Sequence, residues 1–154
     1  PNKYKGLRLM AINRTQIGWR ERVGFPDLGI SCIRAKMDTG ARTSALHAVN
    51  IEEFTRDEEL WVSFGVPLEY DGPIVKCSAK MIETRAIKNT SGVPEDRYVI
   101  KTTVILAKRH WHIDVSLADR ENMGFPLILG RTALRRHYLL VDPGRSFLAS
   151  VPRI

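Results

Sequence analysis

Cysteine is scarce in this chain: Cys32 and Cys77 are the only two among 154 residues. That excludes a disulfide-stapled secreted scaffold, because such domains are cysteine-dense. Long apolar runs are missing too. The longest, such as Phe125 to Leu129 and Tyr138 to Val141, fall far short of the roughly 18 residues of a membrane-spanning helix. Aromatic residues are only 8%. No internal repeat, low-complexity stretch, Gly-rich phosphate loop or helix-turn-helix is visible, and no His-Glu-x-x-His stands on a helix. No apolar leader with a small-residue cleavage site is evident, so the expected compartment is the cytoplasm, with both thiols reduced.

What is present is a globular composition. Hydrophobic residues are 44% and charged residues 27%, too apolar for a disordered chain. The length matches one domain over residues 1–154, on a prior of roughly 150 residues per domain. The formal charge is +7, which points to an acidic partner without saying which kind. It is unevenly spread. Residues 1–42 hold nine Lys or Arg against Glu21, Asp27 and Asp38, whereas Glu52 to Glu59 is net negative and is expected to be a solvated loop.

Short alternating or β-branched stretches separated by Gly, Pro and Asn predict an all-β domain. Strands are expected at Ile17 to Val23, at Ile33 to Met37 running into Asp38, at Leu60 to Val66, and at Ile74 to Met81. A long hairpin follows, with arms Ile82 to Lys88 and Arg97 to Leu106 joined by the turn-forming residues Asn89 to Asp96. Trp111, Ile113, Val115 and Leu117 share one strand face, and Phe125 to Leu129 reads as a strand buried on both faces. The one helix expected is Thr132 to His137, with Thr132 available as a cap. Tyr138 to Val141 and Ser146 to Val151 are expected strands around the turn Asp142-Pro143-Gly144.

The segment richest in chemistry is Lys36-Met37-Asp38-Thr39-Gly40-Ala41-Arg42-Thr43-Ser44. It puts a carboxylate at a strand end on a sharp turn, with Gly40 free to bend and the Thr39 hydroxyl able to tie the turn down. Downstream, Leu127-Ile128-Leu129-Gly130-Arg131-Thr132 is an apolar strand, a Gly-Arg junction and a short helix. Together and in this order, with the hairpin at 82–106 between them, these segments resemble retropepsins, the retroviral-type aspartic proteases. The chain is most similar to a bacterial and archaeal branch, the RimB-like family long labelled "ATP-dependent zinc protease". Further blocks carry that likeness: Gly18-Trp19-Arg20-Glu21, Arg97-Tyr98-Val99-Ile100 and Val141-Asp142-Pro143-Gly144-Arg145-Ser146-Phe147. The resemblance implies association with the ligase that adds glutamates to a ribosomal protein, although other members of the family work elsewhere.

The resemblance implies a retropepsin-like closed β-barrel with a flap hairpin and one short C-terminal helix. It also implies an aspartic-type peptidase. Two carboxylates sharing a proton can activate water and protonate the scissile carbonyl. With a single Asp-Thr-Gly, the second carboxylate must come from a homodimer, Asp38 meeting its symmetry mate at the axis. The implied catalytic residues are Asp38, Thr39 and Gly40, with Ala41 contacting substrate; Arg42 and Arg85 are further substrate contacts expected from their charge. No cofactor is required, since the nucleophile is water. Two departures stand out. Arg42 replaces the acidic residue that retroviral enzymes place after Asp-Thr-Gly-Ala, so Arg131 needs another partner, Asp142 or a carbonyl. Arg42, with Arg34, Lys36 and Arg85, would favour acidic, glutamate-rich peptides.

Other readings of the residues were weighed. His110 and His112 have a spacing that can hold zinc but lack a third ligand nearby, and His47 and His137 stand apart, so no metal is expected. Cys32 and Cys77 read as core thiols. A nucleic-acid or ribosome-binding domain would suit the charge, but the aromatics do not interleave with basic residues along the sequence. A non-catalytic peptide-binding module on the same fold is the other alternative.

Overall fold

Alternation of apolar and polar residues writes most of the strands. In β3 (Ile30–Asp38), Ile33, Ala35 and Met37 are buried while Arg34 and Lys36 are exposed, the two-residue period of a half-buried strand. β9 (Arg109–Ala118) buries Trp111, Ile113, Val115 and Leu117 as expected. The computed structural model describes residues 14–88, 92–119 and 124–153, without the side chain of Lys88. The expected hairpin tip at Asn89, Thr90 and Ser91, and the basic residues Lys3, Lys5 and Arg8, lie outside the described residues.

The fold is all-β. The remaining strands are β1 (Gln16–Gly18), β2 (Arg20–Phe25), β4 (Ser44–His47), β5 (Val49–Arg56), β6 (Glu59–Pro67), β7 (Ile74–Lys88), β8 (Pro94–Leu106), β10 (Leu127–Gly130) and β11 (Leu140–Asp142), and one short helix, α1, covers Arg131–Leu134. Nine strands form one sheet in the order β2-β3-β10-β4-β9-β8-β7-β6-β5, and β2 also pairs with β8. Hydrogen bonds therefore run round a ring of six strands, closed by the pair Gly24 and Ile105. Ile17, Phe25, Ile33, Leu46, Ile100, Leu127 and Leu129 fill its core. Strand β10 is parallel to β3 and antiparallel to β4, which brings the ends of three strands together at Asp38, Ser44 and Gly130.

Several elements differ from expectation, each for a local reason. Residues 52–59 are a hairpin rather than a solvated loop. Asp57 and Glu58 turn it with φ of 51° and 64°, the left-handed pair that suits a two-residue turn, and Glu53 reaches Tyr98, raising its phenol above the usual range. Ile74–Lys88 is one strand, not two. Its first half pairs with β6 and its second with β8, with a register shift between Met81 and Glu83. The expected strand at Ile17 to Val23 breaks at Trp19, and β4 was not anticipated.

The expected strand at Ser146 to Val151 does not form. Its backbone is claimed by a side chain instead. Glu21 is fully buried, and its carboxylate accepts the N–H groups of Gly18 (2.6 Å), Leu148 (2.9 Å) and Ala149 (3.1 Å). Phe147 N–H bonds to the Arg20 carbonyl, and Trp19 N–H to the Arg145 carbonyl. A side chain at Gly18 would press within 2.5 Å of the Arg145 carbonyl oxygen. Thus the Gly18-Trp19-Arg20-Glu21 block and the Arg145-Ser146-Phe147 block meet as one clamp.

Of the two thiols, Cys77 is buried with Sγ 3.4 Å from the Leu28 carbonyl, whereas Cys32 is only half-buried. Burial pushes the Cys77 thiol up from 9.0 to about 11.

Two predictions follow from these buried groups. Glu21→Ala strands three backbone donors, at about 1–3 kcal/mol each, so its urea midpoint should fall by the equivalent of about 3 kcal/mol or more. A loss within about 0.5 kcal/mol would show that the clamp is dispensable. For Cys77, the unfolded chain releases the thiol proton near 9.0 while the native state keeps it to about 11, so stability falls as pH rises through that window. Urea titrations between these two pH values should show the parent losing stability faster than Cys77→Ala. Parallel losses would contradict the shift.

Candidate active site

The sequence ends β3 at Asp38 because Thr39 and Gly40 leave the ladder and turn the chain back toward β4. Asp38 is half-buried, while Thr39 and Gly40 are exposed. The turn is held by the carboxylate itself: Asp38 Oδ1 accepts the N–H of Gly40 at 3.0 Å and of Ala41 at 3.1 Å. Two backbone donors on one oxygen fix the carboxylate's orientation. The Ala41 N–H also lies 3.2 Å from the Asp38 carbonyl. Thr39 makes no side-chain hydrogen bond among the described residues.

The floor of the turn is braced from β10. Gly130 pairs with Asp38 in parallel register, and a Cβ there would stand 2.8 Å from the Ala41 carbonyl oxygen and 2.9 Å from that of Arg42. Only glycine permits this approach. The junction then satisfies the loop's carbonyls in turn. Arg131 N–H bonds to Ala41 at 2.8 Å, an Arg131 guanidinium N–H to Gly40 at 3.0 Å, and the Thr132 hydroxyl to Arg42 at 2.7 Å. Arg131 thus finds a carbonyl, one of the partners expected for it. Thr132 is not a helix cap: α1 begins after Gly130 with no side-chain cap, and the expected helix to His137 finishes as a tighter 3-10 turn.

Ser44 escaped sequence reasoning. It is fully buried, its Oγ accepts the Gly130 N–H at 3.0 Å, and its carbonyl accepts the Ser116 hydroxyl at 3.1 Å. Its place six residues after Asp38 in a polar run carried no signal of burial.

The N–H groups of Gly40 and Ala41 are taken by Asp38 and their carbonyls by Arg131, each carbonyl keeping a second lone pair. Arg42 is exposed beside the turn. Arg85, on β7, donates from its guanidinium to the Thr43 hydroxyl at 3.2 Å and pairs with Glu83. The hairpin arm therefore rests directly on the Asp38 loop. Arg97 pairs opposite Arg85, is buried, and has Glu95 at 3.3 Å as its carboxylate partner.

His112 and His137 make other contacts. His112 Nδ1 meets the Thr103 hydroxyl at 3.2 Å. His137 packs edge-on against Trp111, with centroids 4.6 Å apart, and burial and the nearby Arg109 and Arg136 hold its pKa low. Among the described residues, no three His, Cys, Asp or Glu side chains cluster as a metal site requires.

This architecture has counterparts. A crystal structure of a Legionella pneumophila protein of unknown function superposes with a TM-score of 0.77 at 27% identity, covering 88% of this chain and 98% of that one. Proteins named probable alpha-L-glutamate ligase are also similar. The one from Desulfotalea psychrophila is 48% identical over 129 residues, 82% of this chain, and the one from Shewanella pealeana 41% over 140 residues, 90% of this chain. The chain spans only 28% and 30% of those two proteins. The family described as retropepsin-like aspartic endopeptidase RimB matches residues 16–152. With that match over nearly its whole length, the chain belongs to the RimB-like family of retropepsin-like aspartic endopeptidases.

Proposed function

We propose that this protein is a cytoplasmic aspartic endopeptidase active as a homodimer. The observation that carries the reading is the Asp38 carboxylate, set at a strand end, oriented through Oδ1 by two backbone N–H groups and braced by the Gly130-Arg131 junction. One carboxylate alone cannot be both base and acid. Two-fold pairing supplies the second, and the two carboxylates share one proton. The ionised member takes a proton from water as the water attacks the peptide carbonyl, and the protonated member donates to the developing oxyanion. The β7–β8 hairpin, anchored through Arg85 and Thr43, closes over the cleft and excludes water. Exposed Leu140, the first residue of β11, and Tyr138 before it offer apolar surface to a second copy.

The ligase names belong to proteins about three times as long, of which this chain matches under a third. Hydrolysis suits the residues present. Arg42 and Arg85 at the rim favour acidic peptide substrates through charge-assisted bonds.

Asp38→Asn should cut peptide cleavage by at least about 10²–10⁴-fold while leaving the thermal unfolding curve and peptide binding in place. Specific activity should also rise with protein concentration as dimers form. Undiminished cleavage by Asp38→Asn, or concentration-independent activity from a sedimenting monomer, would sink the proposal. A pure peptide-binding module would be indifferent to this substitution.

Arg42→Glu should lower the ratio of kcat/KM for acidic over neutral peptides by about fivefold, the scale of an exposed ion pair. A ratio equal to the parent's would remove Arg42 from substrate recognition.

A further inference from the structure

Four of the basic residues in the first 42 positions, Arg20, Arg22, Arg34 and Lys36, meet on one surface outside the Asp38 turn. Strands β2 and β3 pair Arg20 with Lys36 and Arg22 with Arg34, so four cations share the outer face of two adjacent strands. Like charges directly opposite one another are unfavourable, and among the described residues none of the four has an ion-pair partner. The intervening Glu21 faces the core.

The guanidiniums are held in place by aromatic rings that are scattered in sequence but gathered in space. Arg20 lies 4.8 Å from the Trp19 ring centroid and 5.4 Å from that of Phe147, Arg22 lies 4.3 Å from Phe147, and Arg34 lies 5.6 Å from Phe125. Trp19 and Phe125 touch edge to face at 5.9 Å, and Arg20 Nε donates to Ser146 Oγ at 2.9 Å. Basic and aromatic residues therefore do interleave, in the fold though not along the chain. Because guanidiniums already cover the rings, the surface presents N–H edges rather than open ring faces. That favours carboxylate recognition over base stacking.

The face leads to the reactive carboxylate. Arg34, Lys36 and Asp38 alternate along β3 and project on the same side, about 6.6 Å apart. Past Arg34 the sign reverses, since Glu69 and Asp71 line with Arg34 a cavity of about 630 Å³. Two cation pairs, one strand repeat apart, therefore stand between Asp38 and an acidic boundary. We propose that this face reads substrate carboxylates at every second position, one at Arg20 and Lys36 and one two residues farther at Arg22 and Arg34. The inference rests on the peptidase reading for its substrate, and it goes beyond it by assigning an acid–any–acid pattern to residues outside the Asp38 turn.

The test uses fluorescent peptides with a Glu tract in which each Glu is changed to Gln one position at a time. Affinity is read by anisotropy on both the parent and Asp38→Asn, and cleavage by product mass on the parent. Two positions, separated by one, should each cost about fivefold in affinity when neutralised, and the position between them less than about twofold. The double variant R22E/R34E should erase the dependence at the distal position, and the milder Arg34→Gln should weaken it. An equal loss at every position, or a pattern unchanged in both variants, overturns the inference. So does an oligoribonucleotide that displaces the peptide at lower concentration than the peptide itself, which would mark a nucleic-acid surface. Absent cleavage with the alternating affinity pattern intact would count against the peptidase reading alone.

Discussion

Gly130 lacks a side chain, and the candidate site depends on that lack. It lets β10 press against the backbone of residues 41–43, where any Cβ would stand within 2.8 Å of a carbonyl oxygen. The contact places Arg131 and Thr132 where their donors satisfy the carbonyls of Gly40, Ala41 and Arg42. A turn that would otherwise flex beside a half-buried carboxylate is thereby held by these hydrogen bonds from one junction and by Ser44 beneath it. Preorganisation of this kind lets a carboxylate act without reorganising at the moment of reaction.

The second organising interaction lies on the other side of β3. The buried Glu21 carboxylate gathers three backbone N–H groups, from Gly18 three residues before it and from Leu148 and Ala149, 127 and 128 residues after it, so the C-terminal segment is tied to β2 without being a strand. A buried polar group is tolerable only when it is hydrogen-bonded, and here the backbone does the bonding. The same clamp sets Phe147 beneath Arg20 and Arg22. An internal carboxylate thus arranges the external cations next to Asp38. The family's sequence blocks at the two ends of the chain are parts of one structure.

Legibility in the sequence followed the range of the forces involved. Strands whose faces differ, such as β3 and β9, were plain because one face is buried and the other wet. The Asp38 turn and the Gly-Arg junction were plain because their residue types carry local geometry. The expected strand at Ser146 to Val151 failed because its donors bond to a carboxylate far away in sequence, which periodicity cannot register. The acidic stretch 52–59 is largely exposed, as its charge suggests, but forms a hairpin instead of a loop, because an edge hairpin can carry charge on both faces. Ser44 was invisible for the opposite reason, being a polar residue buried to serve one backbone N–H.

Composition and local pattern alone determined an all-β chain, a net positive charge weighted to its first 42 residues, and a carboxylate on a glycine turn ahead of an apolar strand and a Gly-Arg junction. Each of these depends on residues within a few positions of one another. Only the tertiary structure decided that Arg131 serves the Gly40 carbonyl, that Arg85 rests on Thr43, and that four cations and three aromatic rings share one face beside Asp38. Those pairings cross strands and span up to about 126 residues. Strand register, which fixes the face each side chain occupies, is set by the packing of the whole sheet.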